Sequence, residues 1–375
     1  MKFPFSVLLV ASSLAVPLHA SVLSRDTIAA TDSTVVHHRN GELKKRLKHT
    51  GSIIYRFIKN FDSYDTTYIA PNYYNFTAMV QNVNYFQTYR LQARDEESNV
   101  QAIFTKPDPS VKIGPYFGWR WIFLGYTFDV AHPQSLGKSS ELSFRLYSSM
   151  LGCDFVYMRN DGGYCLRKAV GFDGVEPKSV RGTSFEGMNS STLSFSAYYV
   201  FNHRHFSYPA TYNQSTQQLK SCGSPMAGFG YSRQNVSFDY RKLPAELLGE
   251  DGESKLLEGL KFSSINYDYY YLSGGYAYNW VFARNWVIGG SVMPSIGIRK
   301  AKGKKLKGNE LLLDLKNLSL DCTSRFGLVW NNSKWFAGAS YINHLYTYRN
   351  TRLSLTNSIN YCNVYVGCFF GRKKK

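Results

Sequence analysis

The chain has little that would carry it through a bilayer as a helix. After residue 20 no run of 18 apolar residues occurs, which excludes a helical span. Acidic residues are scarce as well: 26 Asp and Glu stand against 44 Lys and Arg, a formal net charge of +18. Such a surplus first suggests nucleic acid, but no nucleic-acid motif accompanies it and none is expected as a partner. Metal-ligand spacing is absent, since the adjacent His37–His38 makes a poor site. Gly274–Gly275 and Gly289–Gly290 lack the strand–turn–helix setting of a phosphate loop. No metal or cofactor is therefore assigned. The six cysteines do not read as a disulfide framework. Cys362 and Cys368 fall on one strand, roughly 20 Å apart at the strand rise, and cannot pair directly. Cys153 and Cys165 form the one plausible local pair, and small apolar side chains, buried or facing lipid, are the simpler reading.

What is abundant favours strands. Tyr (29) and Phe (25) are plentiful, and Ala and Leu do not dominate. Apolar residues recur on alternate positions, most plainly in Lys112–Val130. There Ile113, Pro115, Phe117 and Trp119 point one way, and Lys112, Gly114, Tyr116 and Gly118 the other. After a turn at Arg120, Ile122, Leu124 and Phe128 share a face opposite Asp129. This is a hairpin with one apolar and one small, polar face. The device recurs at Trp280–Trp286 and Trp330–Trp335. All six tryptophans, Trp119, Trp121, Trp280, Trp286, Trp330 and Trp335, thus lie in pairs at hairpin ends, as an interfacial girdle requires.

Residues 1–20 read as a secretory signal, with Lys2, an apolar stretch from Phe3 to Leu18, and Ala20 before the cut. Residues 21–64 form a polar extension in which Gly41–Phe61 suits a basic amphipathic helix at a membrane surface. Residues 65–375 make the β domain. Its short turns are expected at Arg120, near Ser149, at Asn202–His203, Ala283–Asn285 and Asn331–Ser333. Longer links are expected at 131–140, 161–188, 243–260, 300–308 and near Asn350. Short turns alternating with long loops are an outer-membrane signature. The count is about twelve strands. Phase changes suggest bulges within Met226–Tyr240 and Ile265–Phe282 and a slip near Asn363, and Pro294 marks a bulge or a lost ladder bond. Ser207–Ser224 fits no strand and reads as a loop folded inward.

On the polar faces fall Lys112, Asp129, Glu141, Arg145, Asp154 and Arg299. Mixed charges inside a narrow barrel are expected to pair and fill it rather than line an open pore. A lipid-modifying enzyme would need a serine activated by histidine. His203, His205 and His344 have no suitable serine motif beside them, and Asp239 and Asp268 are the conceivable acids of a rim protease. No catalytic residue is assigned.

The segments DTTYIAPNYYNFT, PDPSVKIGPYFGWRWIFLGYTFDV, ELSFRLYSSMLG, VSFDYRKLP, YNWVFARNWV and YVGCFFGRKK resemble the domain of unknown function 4421 family, exported proteins of Gram-negative bacteria. The resemblance covers nearly all of the chain beyond about residue 60. It implies an outer-membrane-type barrel with no assigned activity, so no functional residue is carried over. Cys368 departs from the family, where an aromatic residue often stands. Phe369 and Phe370 still supply a terminal aromatic signal for the barrel-assembly machinery.

The expectation is an all-β, antiparallel transmembrane (outer-membrane) β-barrel of about twelve strands with a short N-terminal helical extension. It would be a monomer in the cell outer membrane, contacting lipid and lipopolysaccharide through its basic residues, with a structural, binding or small-solute role. The alternatives are an outer-membrane lipid-modifying or proteolytic enzyme and a soluble periplasmic β-protein.

Overall fold

The computed structural model describes residues 64–97, 99–107, 110–119, 122–125, 128–129, 139–249, 255–301, 318–349 and 353–373. The leader expected at 1–20 and the amphipathic helix expected at 41–61 lie outside the described residues, as does Trp121.

The chain is all-β and organised on one antiparallel sheet. Its elements begin with β1 (Ile69–Pro71), β2 (Tyr74–Arg94), β3 (Val100–Pro107), β4 (Ser110–Trp119), β5 (Ile122–Gly125) and β6 (Phe128–Asp129). They continue with β7 (Ser139–Tyr147), β8 (Leu151–Asp161), β9 (Tyr164–Val170), β10 (Ser184–Phe185), β11 (Met188–Val200) and β12 (Thr216–Gln218). The last are β13 (Cys222–Phe238), β14 (Ser264–Ala283), β15 (Trp286–Ala301), β16 (Leu318–Asn331), β17 (Trp335–Arg349) and β18 (Leu353–Arg372). The sheet runs β4–β2–β18–β17–β16–β15–β14–β13–β11–β8–β7, with the broken strand β5 and β6 beyond β4. Counting β5 and β6 as one, twelve strands among the described residues cross between two rims, in line with the number expected. Among the described residues no ladder joins β7 to β5 or β6, so the sheet is not closed there. Side chains still reach across: the Arg145 guanidinium of β7 lies 5.5 Å from the Tyr361 ring centroid of β18.

The rims differ in the way the spacing of polar segments implied. At one rim lie the last β4–β5 ladder pair, Trp119↔Ile122, and the turns β7–β8, β14–β15 and β16–β17. Asn285 and Ser333 take left-handed backbone (φ 67° and 73°) in the last two, a conformation asparagine tolerates better than most residues. At the other rim the upper half of β2 leaves β4 and pairs with β3, which pairs with β9. There residues 239–249, 255–263 and 172–185 pack over one large core containing Tyr89, Phe185, Phe238, Leu247 and Tyr269.

Period two holds along the strands. In β14 the odd residues Tyr267, Tyr269, Ala277 and Asn279 are buried, and the even Tyr270, Leu272, Tyr276, Tyr278 and Trp280 are exposed. The pairing of β13 with β14 is unbroken from Cys222↔Asn279 to Ser237↔Ser264. Neither strand bulges midway on this seam; β14 shifts register against β15 only at its lower end, between Val281 and Ala283. The apparent phase change arises because tyrosine occupies both faces of β14. The slip expected near Asn363 is likewise absent: β18 stays in register with β2 from Leu353↔Ala93 to Phe370↔Phe76. Opposite Pro294, which has no N–H to donate, the β14–β15 ladder lapses between Ser273↔Ser295 and Tyr276↔Val292. The lost ladder bond is present, and the register continues past it.

Candidate functional site in the sheet interior

Three surfaces are built by this alternation. The outward one carries exposed apolar side chains on most of the long crossing strands. Val80, Phe117, Leu142, Phe195, Phe229, Leu272, Val292, Leu320, Leu345 and Val366 are each at least one-third exposed. From Phe76 to Phe86 on β2 the outer face spans about 33 Å along the strand, or about 25 Å of height at a barrel strand's tilt, interrupted by Asn82 and Asn84, where Asn84 Nδ2 donates to Asn82 Oδ1 at 2.6 Å. Its lower margin is aromatic. Trp280, Trp286 and Trp335 are exposed there, Trp330 pairs with Trp286, and Phe370 stacks on Phe76 and approaches Phe117. Trp119 holds the matching place on β4, opposite Phe76. Its upper margin is basic, with Arg90, Arg159, Arg233, Lys300 and Arg349 all exposed.

The inward surface is polar and filled. Asp154 on β8 accepts from Tyr147 Oη (3.0 Å) and from Arg325 Nη2 (2.5 Å), a residue of β16 on the far side. Arg325 Nη1 donates to Tyr208 Oη at 3.0 Å. Higher up, Arg299 forms a buried ion pair with Asp321 at 3.0 Å and packs over the Tyr267 and Tyr269 rings. Further bridges cross the interior: Asn160 Nδ2 donates to Gln87 Oε1 (2.9 Å), and Gln87 Nε2 donates to Asn357 Oδ1 (3.0 Å). Tyr85, Val156, Met158, Ile342 and Tyr361 pack together between them.

Among the charged residues expected inside, Arg145, Asp154 and Arg299 do gather with interior partners. Lys112 stands opposite Asp129 in the ladder. Glu141 stands opposite Met158, on the inward register; the side chains of Asp129 and Glu141 lie outside the described residues. The decisive partners Arg325 and Asp321 escaped the sequence reading. Their strand, β16, had not been singled out, and Asp154 and Arg325 are far apart in sequence.

The third surface is a plug. The link after β11 was expected to turn at Asn202–His203. It turns there, with the Phe206 N–H bonded to Asn202 O at 2.9 Å, and the link then runs on to Ser221 and folds into the lower mouth, in line with the inward loop expected from Ser207. Tyr208 and Thr211 are buried, in and beside a helical turn at Pro209–Tyr212. Thr211 Oγ1 donates to Asn279 Oδ1 at 2.8 Å, and Gln214 Nε2 donates to Tyr365 Oη at 2.7 Å. β12, in the same link, pairs with β1. Glycine makes room for this: a Cβ on Gly289 or Gly327 would stand 2.6 or 2.5 Å from Thr211 Cγ2. Gly327→Val is therefore expected to displace the helical turn. Protease cleavage within 205–220 should become at least severalfold faster while the strands stay protected, and unchanged cleavage would refute the packing role of Gly327.

The histidines are placed structurally. His203 Nδ1 faces Val200 O at 3.2 Å, His205 faces Asn202 Oδ1 at 3.1 Å and Asp65 at 3.6 Å, and His344 faces Thr323 Oγ1 at 3.2 Å. Thr67 donates its N–H and hydroxyl to Asp65 and holds that carboxyl below its ordinary value. Among the described residues no serine is hydrogen-bonded to these histidines. The two conceivable rim acids each have another partner: Asp239 is paired with Arg241, and Asp268 with Arg233 and Tyr231. None of the six cysteines forms a disulfide.

An antiparallel sheet of twelve crossing strands, apolar outside and filled with paired polar groups inside, defines the class: a transmembrane-type β-barrel fold. Within it, the chain belongs to the family described as Domain of unknown function (DUF4421), whose model matches residues 63–370. No curated protein matches the chain. Among solved structures it is similar to the translocator domain of the autotransporter NalP from Neisseria meningitidis (10% identity, 88% of this chain and 98% of that one, TM-score 0.30). It is also similar to Ail of Yersinia pestis (10%, 77% and 98%, TM-score 0.21) and to a loop-deletion mutant of OmpT of Vibrio cholerae (8%, 77% and 99%, TM-score 0.23). Likenesses of this size attach no activity to the chain.

Proposed function

We propose that the protein is an outer-membrane β-barrel with a shut interior, acting as a structural or binding protein of the cell surface rather than an open pore. The observation that carries this reading is the Asp154–Arg325–Tyr208 chain, which ties β8, β16 and the plug together through the middle of the sheet. The apolar band supports the membrane setting: a soluble protein rarely exposes a contiguous apolar surface of this extent. The margins support an orientation. The tryptophan side suits the periplasmic interface, and the basic side suits the phosphates of lipopolysaccharide. The long-loop rim, braced by its own core, would then be the surface offered to partners.

The test is conductance of the purified protein in planar bilayers. The wild type is expected to give no steady channels, and deletion of residues 209–218 is expected to leave it silent, because the Asp154–Arg325 and Asn160–Gln87–Asn357 bridges remain across the interior. Steady wild-type conductance would overturn the shut interior and favour small-solute passage.

A further inference from the structure

A cavity lies beside the central ion pair, with a volume of about 30 Å³ and lined among others by Asp154, Ser194, Tyr198, Thr323, Arg325 and His344. We propose that it binds a small inorganic anion of chloride size as the counter-ion of the interior.

Charge leads to this first. Among the described side chains around the cavity, Arg145 and Arg325 bring two positive charges and Asp154 one negative charge; Glu141 stands four residues further along the strand that carries Arg145. Asp154 is engaged by Arg325 and Tyr147 and stands opposite Arg145 in the β7–β8 ladder, so one carboxylate serves two guanidinium groups. Arg145 rests against the Tyr361 ring, a contact that softens a charge without neutralising it. Arg299 does not alter the balance, because Asp321 compensates it. His344, whether neutral or protonated, adds no negative charge. An uncompensated charge taken from water is among the costliest features a fold can keep.

Hydrogen bonding leads to the same place independently. Arg325 and Tyr198 are 3% and 4% exposed, and both line the cavity. Arg325 Nε and Tyr198 Oη are buried without a hydrogen-bond partner. Nε can only donate and a phenol donates readily, so the vacant partner is an acceptor. Size then selects its class. A single water needs roughly 10–15 Å³ on this measure, so the cavity holds one halide or about two waters. It excludes sugars, nucleotides and organic acids. The proposal depends on the filled interior and not on the membrane placement.

The test uses the whole folded protein in detergent micelles. Chloride is exchanged for gluconate, an anion too large for the cavity, at constant ionic strength, and the unfolding midpoint is followed. Chloride is expected to raise the midpoint in the wild type, as a ligand of the folded state must. Tyr198→Phe, which removes only an unpartnered hydroxyl, is expected to need about tenfold more chloride for the same rise. Crystals soaked in bromide are expected to show an anomalous peak next to Arg325 Nε. A midpoint indifferent to the exchange, or a cavity holding water with bromide confined to the surface, would overturn the proposal. The wild-type bromide result decides the question even if the variant does not fold.

Discussion

Val292→Arg is expected to cost about 2–4 kcal/mol of folding free energy in lipid vesicles, the penalty of a cation at the midplane of a barrel's lipid face. Val292 is 44% exposed on β15, midway between Trp286 at the aromatic margin and Ile298 near the basic one. At 1.4 kcal/mol per factor of ten, the folded population in a urea titration should fall by a factor of roughly 30 to 700. Phe282→Arg, close to the tryptophan margin, is expected to cost only about 0–1 kcal/mol. This depth dependence is what separates membrane from water. In a soluble periplasmic protein an exposed Val292 could become arginine within about 0.5 kcal/mol. Equal, negligible costs at the two positions would therefore refute the membrane reading.

The second large effect lies inside. Asp154→Ala is expected to destabilise the protein by about 3–5 kcal/mol, because it leaves Arg325 buried without its carboxylate. Arg325→Met should act similarly by stranding Asp154. The double replacement Asp154→Leu with Arg325→Met removes both charges and should recover most of the loss, giving a coupling well above the 0.3–0.5 kcal/mol scatter of independent sites. Urea midpoints and heat-modifiable gel migration would report it. Additive losses in the double variant would mean that the pair does not hold the interior together.

The faces of this protein were legible in its sequence because a strand turns its side chains with period two and the apolar residues of β4, β7, β8 and β15 obey that period. Two kinds of information were not legible. The first is the face of an amphipathic residue. Tyrosine stands on the outer face at Tyr270, Tyr276 and Tyr278 and in the interior at Tyr267 and Tyr269, which makes the regular middle of the strand look bulged. Asparagine misleads in the same way on β18. Asn357 is buried inside, while Asn360 lies on the outer side and accepts from Tyr341 Oη and Asn343 Nδ2, both at 2.6 Å. The second is pairing through space. Nothing near Asp154 in sequence announces Arg325, and nothing in the 201–221 link announces that Thr211 will seat against Gly289 and Gly327. Local pattern yields the wall, and only the folded geometry yields what the wall encloses.

The pairing of β2 with β18 has a consequence for how the protein is made. These strands come from opposite ends of the described chain and are matched from Leu353↔Ala93 down to Arg372↔Tyr74. The sheet therefore cannot join along this seam until the last strand has been delivered. Until then β2 and β17 each present a long, unoccupied strand edge carrying one face of apolar side chains, the kind of template that recruits other chains. Such a late, non-local pairing is also slow. During its passage the unfinished chain is expected to depend on a chaperone that shields those edges, and loss of that shielding should appear as aggregation before it appears as misplacement.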